Sequence, residues 1–253
     1  MLAQKLQITM LASMFVCFAT FSNWSYAMEK IKIITCECPP LSYKLNGKLS
    51  GPSVEIVRII QQRLNTNEKI HLYPWARGYY MVQEQPNVVL FSTTRTTQRE
   101  NMFKWVGPIV EKRFSFHSKK GSKIKIDDLE DAKKYKIGVI RGSNNEQFLI
   151  SNGFNKLYPV VVEEQNLMKL KMGRIDLWYT DTAQSSTLMT NLSLEGVAKE
   201  IYVVQKSRSY YAFNLKTPDS IVKEWQIALN HLRRTGAIRN ILKKYELESL
   251  YAD

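Results

Sequence analysis

Apolar and polar positions follow two rhythms along this chain, and the points where one replaces the other mark its elements. Ile31, Ile33 and Ile34 form a short β-branched run that Pro39-Pro40 stops, and Asn46-Gly47 marks a turn. After Gly51-Pro52-Ser53 the apolar residues Ile56, Val57, Ile60 and Leu64 share one face of a helix, with Ser53 as its expected cap. The same reading predicts a strand over 70–73, a helix over 76–84 and a strand over 87–92. The order βαβαβ belongs to a mostly parallel sheet covered by helices.

Phe114-Ser115-Phe116 alternates briefly, and then the pattern restarts. A short helix opens at Asp127-Asp128-Leu129, followed by a strand over 136–140, a helix over 146–151, a strand over 157–162, a helix over 165–172 and a strand over 175–179. Residues 202–213 read as extended, and helices over 221–234 and 237–245 close the chain on either side of Gly236. Extended segments near 111–117 and 204–212 bracket the second unit, so they read as paired crossings between two lobes. The expected architecture is α/β: residues 28–113 with 208–253 form lobe one, 114–207 form lobe two, and two hinge strands join them.

The N-terminus changes the compartment. Lys5, an apolar stretch from Ile8 to Phe21 and the small-x-small Ser25-Tyr26-Ala27 read as a secretory signal peptide over residues 1–27. The alternative, an uncleaved anchor, needs roughly 20 apolar residues, more than this stretch provides. A lipoprotein is disfavoured because Ser13-Met14-Phe15-Val16, before Cys17, lacks the small residues that its processing wants. Cleavage removes Lys5 and no acid, which lowers the formal net charge from +13 to +12. Nucleic acid or an anionic membrane would suit such a charge, but the basic residues never run longer than two and an exported protein rarely meets nucleic acid. The charge reads as solvated surface. The secreted chain keeps Cys36 and Cys38. An oxidising compartment favours disulfides, yet side chains of an extended Cys-x-Cys point to opposite faces, so the pair reads as two unbridged residues at a strand end. With three histidines, none at ligand spacing to this pair, no metal and no cofactor is expected.

Open α/β sheets bind ligands beyond the carboxyl ends of their strands, and three such ends carry polar groups. The first, "FSTTRTTQREN" over 91–101, offers Ser92, Thr94 and Arg99, and a guanidinium can hold a carboxylate through two parallel hydrogen bonds. Alternatively Arg95 and Arg99 pair with Glu100 or another surface acid. The second, Gly142-Ser143-Asn144, starts a helix, where backbone amides and the dipole attract an anion or where Ser143 is an ordinary cap. The third ends in Asp181, which either holds an ammonium or caps the following helix. Trp75 and Arg77 stand where the second strand meets its helix, as a stacking wall or as packing. Together a carboxylate clamp, an anion-binding helix start and an acid match the two ends of an amino-acid zwitterion.

With these residues in place the chain resembles the bacterial extracellular solute-binding protein family 3, the periplasmic polar-amino-acid-binding components of ABC transporters. The resemblance rests on "SGPSVEIV", "TRTTQRENMFKWVGPI", "DLEDAKKYKIGVIRGS", "MGRIDLWYTD" and "EWQIALNHLRRTGAIRNILKKY" in the family's order. It implies the two-lobed type II periplasmic binding protein fold, a monomer in the periplasm, hinge closure on an amino acid or related carboxylate, and delivery to an ABC permease. It implies that Arg99 binds the ligand's α-carboxylate, with Ser143 and Asn144 adding contacts, that Ser92 and Thr94 meet its polar ends, and that Asp181 receives its α-ammonium. Arg95 sits where the family varies. The family often has an aromatic residue where this chain has Cys38-Pro39-Pro40-Leu41, so that part of the lid over the ligand side chain is missing. Two alternatives share the fold: a cleft enzyme similar to cyclohexadienyl dehydratase, with Glu37, His71 and Glu146 as titratable candidates, and a sensory ligand-binding module.

Overall fold

The first strand, β1 (Lys32–Thr35), is buried because both faces of its sheet are covered, and it takes β4 (Ile70–Leu72) and β5 (Val88–Thr94) as parallel neighbours. In the computed structural model, which describes residues 30–252, a small hairpin of β2 (Tyr43–Leu45) and β3 (Lys48–Ser50) follows β1 around the turn at Asn46-Gly47. The signal-peptide reading falls outside the described residues.

Helix α1 (Pro52–Arg63) begins two residues earlier than the pattern predicts, with Gly51 rather than Ser53 as its N-cap and Ser53 buried in the first turn. Proline at the first helical position loses no hydrogen bond and is set at a helical φ, which moves the start. Gly51 has φ 112, and a Cβ there would lie 2.5 Å from the Leu41 carbonyl oxygen. Helix α2 (Trp75–Glu84) then leads to β5, whose seven residues are all buried, as expected of a central strand flanked by helices. A 3-10 turn (Thr97–Met102) and the short β6 (Lys104–Val106) complete this half.

Strand β7 (Glu111–Lys119) enters the second half. There β8 (Ile137–Ile140), α3 (Asn144–Ser151), β9 (Leu157–Val160), α4 (Glu163–Lys171), β10 (Leu177–Asp181) and α5 (Thr182–Asn191) repeat the βαβαβ order, and β8 pairs in parallel with β9 and β10. The 16-residue β11 (Ala198–Phe213) runs through both halves, antiparallel to β7 in the second and to β5 and β6 in the first. The strand order β4-β1-β5-β11-β7-β10-β8-β9 places the second, first and third strands of each unit in the same sequence outward-in, with β11 and β7 between them.

Helices α6 (Asp219–Arg234) and α7 (Ala237–Lys244) cover the first half. Trp225 of α6 is buried with its ring edge-on to Tyr211 and Phe213, 5.3 Å from each between centroids. A separate core around Phe116, Leu149, Leu177 and Tyr179 holds the second half.

One sequence expectation is corrected here. Cys36 and Cys38 form a disulfide, their Cα atoms 5.4 Å apart. The expectation assumed an extended backbone, but β1 ends at Thr35 and the chain turns at once, with the Cys38 amide bonded to the Ser42 carbonyl at 2.7 Å. Turned backbone brings the two Cβ atoms to one side, within ordinary disulfide reach.

Candidate functional site

The carboxyl ends of the parallel strands of both halves open onto one cavity of about 420 Å³, the size of pocket that holds a small molecule. Its wall takes Cys36 and Cys38 from beyond β1, Trp75 from beyond β4, Ser92 and Thr94 from β5, Ser143 and Asn144 from beyond β8, and Val162 and Glu163 from beyond β9.

Arg99 is the charge at its centre. The 3-10 turn after β5 folds it back over the strand end, where it is 0% exposed. Its guanidinium lies 4.6 Å from the Tyr79 ring centroid and 5.6 Å from that of Trp75. Nε and Nη2 donate to Gln147 Oε1 of α3 at 3.3 and 3.0 Å, and Nη1 donates to the Thr94 carbonyl at 3.4 Å. All of these partners are neutral. Burial pushes the Arg99 pKa down, but a guanidinium keeps its proton in proteins, so a buried cation faces the cavity without a counter-charge. Arg95, by contrast, pairs with Glu100 at the surface and stacks over Trp105 and Tyr210.

Ser92 and Thr94 are buried at the end of β5. Ser92 holds a left-handed φ of 61, and its hydroxyl has no hydrogen-bond partner. A residue other than glycine in that region stores strain of the kind that clusters at binding sites. Ser143 caps α3, its Oγ accepting from the Glu146 amide at 3.1 Å, while Glu146 Oε2 accepts from the Gly142 amide at 2.5 Å. This is a variant of the capping box, so the helix start is both a cap and part of the wall. Trp75 reaches across the cavity and donates from Nε1 to the Gly142 carbonyl at 3.0 Å. With Arg99 and Gln147, it ties the first half to the second.

Asp181 and Arg77 do not line the cavity. Arg77 is exposed and lies over Tyr73, 4.6 Å from its centroid. Asp181 is buried at the end of β10 and caps α5, Oδ1 accepting from the Gln184 amide at 3.0 Å. Burial raises its pKa, and the charge of Lys112 and the amides of Gln184, Ala183 and Arg113 oppose that rise.

Among the charged and amide residues of the wall, Lys44, Lys112, Asn145, Glu163 and Gln184 were not anticipated. Glu163 is buried, its Oε2 accepting from Trp178 Nε1 at 2.7 Å and Asn166 Nδ2 at 2.9 Å, its Oε1 from Thr180 Oγ1 at 3.1 Å. Burial lifts its pKa to about 7 in spite of these donors. The strand-end rule, applied to β9 as it was to β8, would have found it. Gln147 and Lys112 gave no signal, being an ordinary helix residue and an ordinary strand residue until the halves are brought together. Of the acid–base candidates, Glu37 is exposed at the wall and accepts from the Lys44 amide at 2.9 Å, Glu146 is spent on the cap, and His71 stacks on Tyr73 outside the cavity, with burial and two lysines lowering its pKa. Among the described residues no group of histidines, cysteines and acids could hold a metal, and no helix is long and apolar enough to cross a membrane.

Solved structures of known proteins share this fold. A histidine kinase sensor domain described as similar to periplasmic binding proteins matches with a TM-score of 0.78 and 19% identity over 85% of this chain and 96% of that one. An ancestral arginine-binding protein bound to arginine matches with a TM-score of 0.76 and 22% identity over 85% and 97%. The fold is that of type II periplasmic binding proteins. In sequence, the probable amino-acid-binding protein YxeM of Bacillus subtilis (strain 168) is 20% identical over 218 residues, 83% of this chain and 81% of that protein. The model of the bacterial extracellular solute-binding proteins, family 3, matches residues 31–248, and the chain belongs to that family.

Proposed function

We propose that this protein captures a small carboxylate-bearing solute, an amino acid or a related acid, in the periplasm and presents it in the closed form to an ABC permease. The observation that carries the reading is Arg99. A buried cation whose only partners are an amide, a carbonyl and two rings is costly until an anion joins it. Ser92, Thr94, Ser143 and Asn144 surround the same space and supply donors to a carboxylate. The amino-acid class draws support from relatives described as amino-acid or arginine binders.

Closure follows from the two strands that join the halves. Of the division read from the sequence, 28–113 with 208–253 as one lobe and 114–207 as the other, the described residues carry the connection where Ile109 donates to the Ser209 carbonyl at 2.8 Å and Ser209 to the Val110 carbonyl at 2.9 Å. A hinge there lets the lobes part. A ligand touching both Arg99 and the α3 end has more contacts in the closed form, and that difference drives closure. A second reading, the input module of a sensor, draws on the histidine kinase sensor domain of the same fold. It shares the ligand chemistry and differs in the partner.

Thermal unfolding of the protein with amino acids and small carboxylates, each at 1 mM, tests the ligand class. A ligand with Kd of about 10 µM adds about 2.7 kcal/mol and raises Tm by several degrees. A screen in which no carboxylate moves Tm defeats the proposal. Arg99→Ala is expected to abolish the shift for any hit.

A further inference from the structure

We infer that Gln147, a residue outside the cavity, decides whether the charge of Arg99 is available to a ligand: it positions the guanidinium with a neutral amide where an acid would neutralise it. The premise is the function just proposed, with Arg99 as the carboxylate's seat.

Arg95 and Arg99 stand four residues apart, and each is held by one side chain along the same edge. Arg95 donates from Nε to Glu100 Oε2 at 2.7 Å and from Nη2 to Glu100 Oε1. Arg99 donates from the same two nitrogens, at 3.3 and 3.0 Å, to the single oxygen of the Gln147 amide. The grip is alike and the charge differs. Arg95 is thereby closed off as a surface ion pair, whereas Arg99, 0% exposed, keeps its charge where water screens it little.

The fold explains how Gln147 reaches it. The Gln147 amide closes the first turn of α3 on the Ser143 carbonyl at 3.1 Å. Residues three and four apart share a helix face, and long helical side chains lean toward the N-terminus. Gln147 therefore runs alongside Ser143 and Asn144, which line the cavity while Gln147 does not. A guanidinium has five N–H donors. Gln147 takes one from Nε and one from Nη2, and the Thr94 carbonyl takes one from Nη1 at 3.4 Å. One N–H is left on each terminal nitrogen, and a carboxylate accepts two. Because Gln147 belongs to the other half, the orientation is completed only when the halves are together.

A glutamate at this position keeps the shape and the grip on Nε and Nη2 and cancels the charge, which separates the two roles. Isothermal titration on the full secreted protein uses acetate, succinate, L-glutamate, L-glutamine and L-arginine as probes. For any that binds, Gln147→Glu is expected to weaken affinity roughly 30-fold or more, the loss of a buried charge partner, while the ligand-free Tm rises by a few degrees. Gln147→Met removes the bonds that only the closed form makes, so affinity should fall about fivefold, through faster dissociation. Ile150→Glu, which adds the same charge at an exposed position one turn further along α3, should change neither. A Gln147→Glu protein that binds as the wild type does, or that is no more stable than it, overturns the inference and leaves the carboxylate function standing. Tighter binding by Gln147→Met overturns it too, because the amide would then be competing with the ligand. If no probe binds the wild type, the proposed function falls. The inference then stands only if Gln147→Glu raises Tm and the Arg99→Met, Gln147→Glu double variant does not.

Discussion

The two halves bury charge in opposite ways at corresponding places. β5 and β10 are each the third strand of their unit, and each has a buried charged residue at or just beyond its end, Arg99 five residues after β5 and Asp181 as the last residue of β10. After β5 the chain makes a loop and a 3-10 turn, which turns Arg99 back over the strand end into the cavity among neutral partners. After β10 a helix begins at once, and Asp181 caps it through Oδ1. Glu163, the other buried acid of the second half, is satisfied from within by three donors. One half leaves a cation facing the cavity among neutral partners, and the other uses Glu163 wholly and Asp181 in part for its own construction, Asp181 Oδ2 having no hydrogen-bond partner.

The largest effect should come from the unpaired cation. Arg99→Met keeps an apolar stem between Tyr79 and Trp75 and removes the guanidinium. Losing one partner of a buried charge pair costs about 2–5 kcal/mol of binding, so the affinity of any carboxylate ligand measured by calorimetry should fall by about 100-fold or more. The same change relieves the ligand-free protein of a buried, unpaired charge, so its own Tm should hold or rise. A variant that binds normally would show that the carboxylate sits elsewhere and that the contrast between the halves has no bearing on ligand.

Glu163 comes next, through pH. Its folded pKa is about 7 against an ordinary 4.5. Because the folded value is raised, its contribution to stability is complete below about pH 4.5 and is lost as pH climbs through about 7. A gap of that size corresponds to roughly 3 kcal/mol at 1.36 kcal/mol per unit. Glu163→Gln keeps the shape and cannot ionise, so urea midpoints taken from pH 4.5 to 8 should fall for the wild type and stay flatter for the variant. Equal slopes would mean that the three donors already hold the carboxylate ionised, which would bring it closer to Asp181 in behaviour.

Much of this was legible in the sequence, and the rest was hidden for identifiable reasons. Alternation and helical spacing located the strands and helices because the βαβ pattern is local: β5 opens on the apolar run Val88-Val89-Leu90-Phe91, and α6 has its apolar face at Ile221, Trp225, Ala228 and Leu232. Arg99 was a candidate because hydroxyls stand beside it at a strand end, and the resemblance to the family rather than the local pattern separated it from Arg95. Gln147 and Lys112 were invisible because their roles exist only across the joined halves, over sequence separations no local pattern spans. The disulfide was misread because residue spacing alone does not say whether the backbone between two cysteines is extended, and here a turn begins right after β1.

That disulfide belongs to the first half's share of the cavity wall. The loop it closes is very short, and chain-entropy arguments assign such a loop roughly 1–2 kcal/mol. Replacing both cysteines by serine should lower Tm by a few degrees. Since Cys36 and Cys38 face the cavity, ligand affinity should fall as well, by less than in Arg99→Met. A drop in Tm with unchanged affinity would assign the bridge to stability alone.

The smallest expected effect probes the contact between the halves directly. Trp75 Nε1 donates to the Gly142 carbonyl across the cavity at 3.0 Å, and its ring lies beside Arg99. Trp75→Phe keeps an aromatic face for the guanidinium and removes the one donor. In the open form that carbonyl is free to bond water, so the loss falls mainly on the closed form, by about 1 kcal/mol for a neutral hydrogen bond. Affinity should weaken about fivefold through a faster off-rate, because the closed complex is what the bond holds. Stopped-flow dissociation of the same ligand from wild type and variant measures this. An effect as large as that of Arg99→Met would instead make the indole a direct ligand contact, and the first half would then supply both the charge and the stacking surface of the site.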